Sequence, residues 1–233
     1  MPRAQSVVSL DPIDRQNKKR SGPIGRLFKT KRFKGKPMKK TDDFGHWLFV
    51  GGQLKGKTTS CLFCLEQLEK KYKKRNKKVI LFSNMGFGLP VHKSTFSGLI
   101  SRCEYKENVV YIFVIDELQS WYPKDTKDPF TLKQIDELTG QFSQLGKRQI
   151  YVLSTAQVYG RVNKNLREQC LYMINCRPSA FRNKCVNDFI LGDDVMCDDL
   201  GRWSGEPFKI WVHGLPERKF DTHLMIKDGI NRP

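Results

Sequence analysis

The sequence predicts an α/β fold with a mostly parallel central sheet flanked by helices, preceded by a basic N-terminal arm. Three observations predict it. Short apolar runs alternate with amphipathic stretches from residue 45 onward. The strongest run, NVVYIFVID at 108–116, is apolar on both faces, as a strand covered by helices on both sides must be. A glycine- and lysine-rich loop stands where the first strand hands over to the first helix.

The elements follow in order. HWLFVGG (46–52) is a buried strand ending in glycines. Residues 58–75 carry Leu62, Phe63, Leu65 and Leu68 at helical spacing and end in a basic stretch, with seven Lys and Arg between Lys70 and Lys78. Such cations complement the negative end of a helix and equally suit contact with DNA. KVILFSN (78–84) is a second buried strand, and Met85 to Gly98 reads as a loop because of Gly86, Gly88 and Pro90. Residues 132–145 read as a helix, QIYVLSTAQ (149–157) as a strand, 162–169 as a helix, LYMINCR (171–177) as a strand and FKIWVHG (208–214) as a hairpin strand.

Composition narrows the classes. The 233 residues suit one domain with a real core plus an arm, and 39% hydrophobic residues are enough for a folded body. The longest apolar runs fall far short of the roughly 18–20 residues a bilayer span needs, and Met1 to Leu10 has no signal-peptide core, so an intracellular protein with no integral membrane segment is expected. The net charge is +18, unevenly placed: residues 1–40 hold 13 Lys and Arg against two acids. The expected division is a basic arm over 1–43 without fixed structure, in which residues 24–33 have the pattern of a short basic helix, and a domain over 44–233 with its core at 45–177. A basic arm attracts polyanions, nucleic acid first and acidic membranes second. The seven cysteines are an odd number, and Cys61-x-x-Cys64 has no matching second pair, so buried reduced thiols are expected rather than a disulfide frame or a zinc site.

Chemistry is concentrated in two stretches. Gly51-Gly52-Gln53-Leu54-Lys55-Gly56-Lys57-Thr58, with Thr59 after it, matches GxxxxGK[ST] between a strand and a helix. Glycines let backbone N–H groups turn inward around phosphates, the helix start adds partial positive charge, Lys57 reaches the outer phosphates, and the Thr58 hydroxyl ligates Mg²⁺. At the end of the apolar strand stand Asp116 and Glu117. Asp116 is placed to hold Mg²⁺ and Glu117 to orient and deprotonate an attacking water. Gln157, ending the next strand, is placed to touch both the γ-phosphate and the water. The guanine-reading Asn-Lys-x-Asp is missing, since Asn163-Lys164 runs on into Asn165-Leu166, so ATP is the expected nucleotide. Arg148, Arg161 and Arg167 are candidates for an arginine finger acting in a neighbouring subunit. Lys93, Lys124 and Lys127 are candidate contacts to DNA phosphates. Trp121, Tyr122, Trp203 and Trp211 suit packing better than base stacking.

GGQLKGKT, FVIDELQSWY and IYVLSTAQVYGRVNKNLREQ, in that order across 45–177, resemble the FtsK–HerA branch of P-loop ATPases. Within it the resemblance is strongest to short viral genome-packaging ATPases and to Zot-like ATPases of filamentous phages. The more specific parts are Asp116, Glu117, Gln119, Trp121 and Pro123, and the strand-end Thr155-x-Gln157. The resemblance implies a RecA-like fold and an oligomeric ring, usually hexameric, that hydrolyses ATP with Mg²⁺ and drives DNA through its pore. For this chain it implies a packaging ATPase in the host cytoplasm or on the virion, with capsid vertex or portal proteins as partners. The alternatives are a Zot-like assembly ATPase working with a membrane partner, and a nucleotide-binding regulator on nucleic acid with little turnover. Zot-like proteins usually carry a membrane segment after the ATPase domain, whereas none is expected here, and the sequence after Arg177 matches no pattern of the branch.

Overall fold

The computed structural model of the chain describes residues 42–179 and 183–217. The expected basic arm, apart from its last two residues, and the expected helix at 24–33 lie outside them. An eight-stranded sheet forms the centre, with strands β1 (Gly45–Val50), β2 (Lys78–Ser83), β3 (Leu89–Pro90), β4 (Val109–Ile115), β5 (Ile150–Ala156), β6 (Cys170–Pro178), β7 (Cys185–Leu191) and β10 (Lys209–His213). Their spatial order is β10-β7-β6-β1-β5-β4-β2-β3. From β6 to β3 every pairing is parallel, while β7 and β10 add an antiparallel flank. A small hairpin, β8 (Met196–Cys197) with β9 (Trp203–Ser204), stands apart from the sheet.

Strand alternation sorts the core into two layers. Trp47, Phe49, Ile112, Val114, Tyr151 and Leu153 face one side and pack on Leu62, Leu65, Leu68 and Tyr72 of α1 (Lys57–Lys74). Leu48, Val50, Phe113, Ile115 and Val152 face the other and pack on Phe96 and Ile100 of α2 (Lys93–Arg102) and on Ile135, Leu138 and Phe142 of α4 (Pro129–Phe142). Helices on both faces of a mainly parallel sheet make this the expected α/β architecture. Two short helices, α3 (Leu118–Trp121) and α5 (Lys164–Glu168), follow β4 and β5.

Three elements differ from the expectation. The stretch expected as a loop over 85–98 carries β3 and the start of α2: the glycines and Pro90 end where Phe96, Leu99, Ile100 and Cys103 begin a helical spacing. β7 was not foreseen, because Asn187 and Asp188 interrupt its apolar pattern; Asn187 accepts a hydrogen bond from Ser60 Oγ (2.9 Å), and Asp188 takes a two-point ion pair from Arg177 (2.6 and 2.7 Å). The strand at 208–214 is β10, paired with β7 across a long connection rather than in a tight hairpin. Trp121 and Tyr122 are buried and Trp211 packs on Phe63, in agreement with a packing role. Cys61 and Cys64 are buried free thiols on α1, and burial pushes Cys64 up to about 12, far from the thiolate that metal or redox chemistry needs. No helix among the described residues is long and apolar enough to cross a membrane.

Candidate functional site

The site lies where β1, β4 and β5 end. β5 runs between the other two, with Val50 level with Ala156 and Ile115 level with Ser154. The next residues of all three strands therefore leave the sheet side by side, at the carboxyl edge where open α/β sheets bind ligands.

After β1 the chain turns through the phosphate loop. Gly51 N–H still donates to Ala156 O (3.3 Å), fastening the loop to β5. Two glycines are required by space. A Cβ on Gly51 would lie 2.8 Å from the Cys176 carbonyl oxygen, and one on Gly56 would lie 2.8 Å from Cys185 Sγ. Gly56 also has φ 80°, a left-handed conformation costly to other residues. Thus β6, and β7 beyond the part of the sequence with a recognisable pattern, form the floor of the loop. Gln53, Leu54 and Lys55 are exposed, Leu54 with a left-handed φ of 57°. No side chain caps the start of α1. Its first N–H groups, among them those of Lys57, Thr58 and Thr59, are the free donors an anion requires. Lys57 is nearly buried, and its Nζ donates across the loop to Gly52 O (3.1 Å).

The carboxylate half comes from β4. Asp116 Oδ1 accepts from Thr58 Oγ1 (3.2 Å) and from Thr155 Oγ1 (2.5 Å), which joins the phosphate loop, the β4 end and the β5 end at one oxygen. Asn84, fully buried at the end of β2, fixes the Asp116 backbone at both ends: Asp116 N–H donates to Asn84 Oδ1 (2.9 Å), and Asn84 Nδ2 donates to Asp116 O (3.1 Å). A hydroxyl and a carboxylate already in contact beside an uncapped helix start are the hard oxygen donors that suit Mg²⁺.

Glu117 has a left-handed backbone (φ 55°, ψ 50°) and begins α3. Its N–H donates to Thr155 Oγ1 (2.9 Å), and its carboxylate Oε2 accepts from Gln157 Nε2 (3.2 Å) and from Gln119 Nε2. Thr155, Asn84 and Gln119 were not assigned roles from sequence. Thr155 and Gln119 stood inside the quoted motifs, whereas nothing near Asn84 announced it beyond its place at a strand end.

The arginines separate. Arg148 precedes β5 at the opposite end of the sheet and donates to the carbonyls of Ile100, Ser101 and Cys103 (2.5, 2.7 and 2.9 Å), closing the end of α2. It does not join the site. Arg167 is buried, over the Tyr159 ring and 2.9 Å from Cys197 Sγ. Arg161 is exposed on the loop that follows Gln157. That loop is bonded to the one after Glu117: Lys124 N–H donates to Arg161 O (2.9 Å) and Asn163 N–H to Tyr122 O (2.9 Å). Lys93 Nζ donates to Thr131 Oγ1 (2.7 Å), Lys124 Nζ donates to Asp199 O (2.8 Å), and Lys127 is exposed.

No family model and no curated protein matches the chain. Similar solved structures include the N-terminal domain of zonular occludens toxin from Neisseria meningitidis, at 13% identity, covering 78% of this chain and 97% of that one with a TM-score of 0.44. They also include the genome packaging NTPase B204 from Sulfolobus turreted icosahedral virus 2 in complex with ATP-gammaS, at 9% identity, 72% and 99% coverage and a TM-score of 0.43. A third is the RadB recombinase, at 12% identity, 64% and 81% coverage and a TM-score of 0.44.

Proposed function

We propose that this chain is an ATPase that drives DNA through a ring of identical subunits, packaging a viral genome. The observation that carries the hydrolytic part is the meeting of Thr58, Thr155 and Asp116 at one carboxylate oxygen, with Glu117 held one residue further on by Gln157. The DNA and packaging parts are supported by the sequence motifs and by the net charge of +18.

The residues divide the work. N–H groups of residues 51–59 and the Lys57 ammonium bind the phosphates of ATP. Thr58 and Asp116 hold Mg²⁺, which when bound offsets phosphate charge. Glu117 takes a proton from the attacking water, and general-base help of this kind contributes about 10²–10⁴-fold. Gln157 contacts Glu117 and is assigned to sense the γ-phosphate. Arg161, carried on the next loop and free of the internal packing that holds Arg148 and Arg167, is the residue assigned to reach a neighbouring subunit. Lys127, with Lys124 beside it, is assigned to DNA phosphates. Capsid vertex or portal proteins are the expected docking partners.

The test is ATPase activity with and without double-stranded DNA, with sizing of the oligomer at the same concentrations. Hydrolysis stimulated by DNA in a ring-sized species is expected. Nucleotide binding with negligible turnover in either condition overturns the enzyme, and turnover indifferent to DNA overturns the translocase.

A further inference from the structure

Of the residues after 40, those from 69 to 78 hold seven Lys and Arg against Glu69 alone; everything else there carries 22 Lys and Arg against 21 acids. The body's excess charge is thus one ten-residue segment. It lies at the end of α1 and the start of β2, at the opposite edge of the sheet from the phosphate loop. Asn76, with a left-handed φ of 54°, ends the helix, and Lys77 N–H closes back on Tyr72 O (3.0 Å). An open cleft of about 590 Å³ remains, lined by Glu69, Lys73, Asn76, Lys77, Lys78 and Val79.

Ordinary surface bookkeeping accounts for part of the segment. Asp42 pairs with Lys71 (2.8 Å) and Arg75 (2.7 Å), and Glu217 pairs with Lys70 (2.7 Å). Lysines of the last helical turn complement the dipole. Lys77 and Lys78 lie beyond the helix, so the dipole does not explain them. Lys73, Lys74 and Lys78 are exposed, Lys73 and Lys78 in the lining of this concavity and Lys74 next to Lys73 along the chain. Residues 1–40, with their 13 Lys and Arg against two acids, join the chain just before Asp42, which is itself paired to this segment.

We infer that this cleft is a second docking surface for the phosphate backbone of double-stranded DNA, remote from the ATP site and joined to it by one helix. The inference rests on the DNA-moving reading above. Regularly spaced phosphates are the anions that several lysines around an open concavity neutralise together, without reading sequence. α1 starts at Lys57 in the phosphate loop and runs 18 residues, about 27 Å, to Lys74. A rigid element therefore has the nucleotide at one end and DNA at the other.

The experiment uses the full chain. Acetylation of lysines by an amine-reactive ester, read by mass spectrometry with and without a DNA duplex of random sequence, should show protection of Lys73, Lys74 and Lys78 but not of exposed Lys133. A K73Q/K74Q/K78Q variant should melt like the parent and keep its basal ATPase. Its log affinity for DNA against log salt should flatten by about 2–3, with binding roughly tenfold weaker or more at physiological salt. Equal acetylation with and without DNA, or an unchanged salt slope, overturns the surface while DNA-stimulated ATPase still supports the translocase. Failure of the parent to bind DNA at all removes both. Protection by phosphatidylserine vesicles in place of DNA overturns the inference in favour of a membrane contact.

Discussion

Glu117 departs from ordinary backbone at the point where chemistry is expected. A left-handed conformation costs a residue other than glycine about 1–2 kcal/mol, and here Thr155, Gln157 and Gln119 hold it in place. Glu117→Gln should retain ATP binding while turnover falls by about 10²-fold or more. Lys57→Ala should lose both, since phosphate charge is then unmatched, and nucleotide titration beside steady-state rates separates the two. Gln119 donates to the Glu117 carboxylate and is assigned to position it. Gln119→Ala should lower kcat by up to roughly 10²-fold, as a misplaced catalytic group does, with KM unchanged and partial recovery in Gln119→Asn. A rise in KM without a fall in kcat would assign Gln119 to binding instead.

Among the elements, α2 and β7 explain what sequence reading misses. The strands β1, β2, β4, β5 and β6 each contain at least four consecutive apolar residues, a signal that survives without any partner. α2 was hidden by the turn residues before it, and its end is closed by Arg148 from 45 to 48 residues away, a long-range contact with no local pattern. β7 was hidden because its buried polar residues are satisfied by α1 and β6. The same contact that conceals α2 resolves the arginines. Arg148→Ala should cost about 1.5–3 kcal/mol of stability, the range for hydrogen bonds from a charged group, and leave ATP turnover per folded molecule intact. Arg161→Ala should leave the melting temperature unchanged and depress turnover by at least 10³-fold if it acts across subunits. Denaturant curves and rates on the two variants decide between the roles.

At the scale of the whole molecule, acid sensitivity is built into the centre of the sheet. His46 on β1 is fully buried, with Nε2 2.6 Å from Ser154 Oγ on β5 and Nδ1 3.2 Å from Cys170 Sγ on β6. Burial holds its pKa down, from 6.5 to about 3, and burial lowers that of His213 as well. The unfolded chain therefore binds protons that the folded one refuses, and stability falls as pH drops from about 6.5 towards 3. Melting temperatures measured from pH 7 to pH 4 should decline, and His46→Gln should flatten the decline. The strands β1, β2, β4, β5 and β6 and the phosphate-loop motif were legible because each is a local run, whereas the order of the strands in the sheet was not. The loop's floor was not, since Cys176 and Cys185 come from strands whose placement only the closed sheet determines.

The short helix after Glu117 has an optical consequence. Trp121 is buried against Phe96 and Tyr122, four residues from Glu117, while Trp47, the other buried tryptophan, packs in the layer on the opposite face of the sheet. Any rearrangement of residues 117–123 on nucleotide binding changes the surroundings of Trp121, read over the emission of Trp47, Trp203 and Trp211. The chain thus contains its own fluorophore for the catalytic step, and Trp121→Phe supplies the blank against which stopped-flow emission is read.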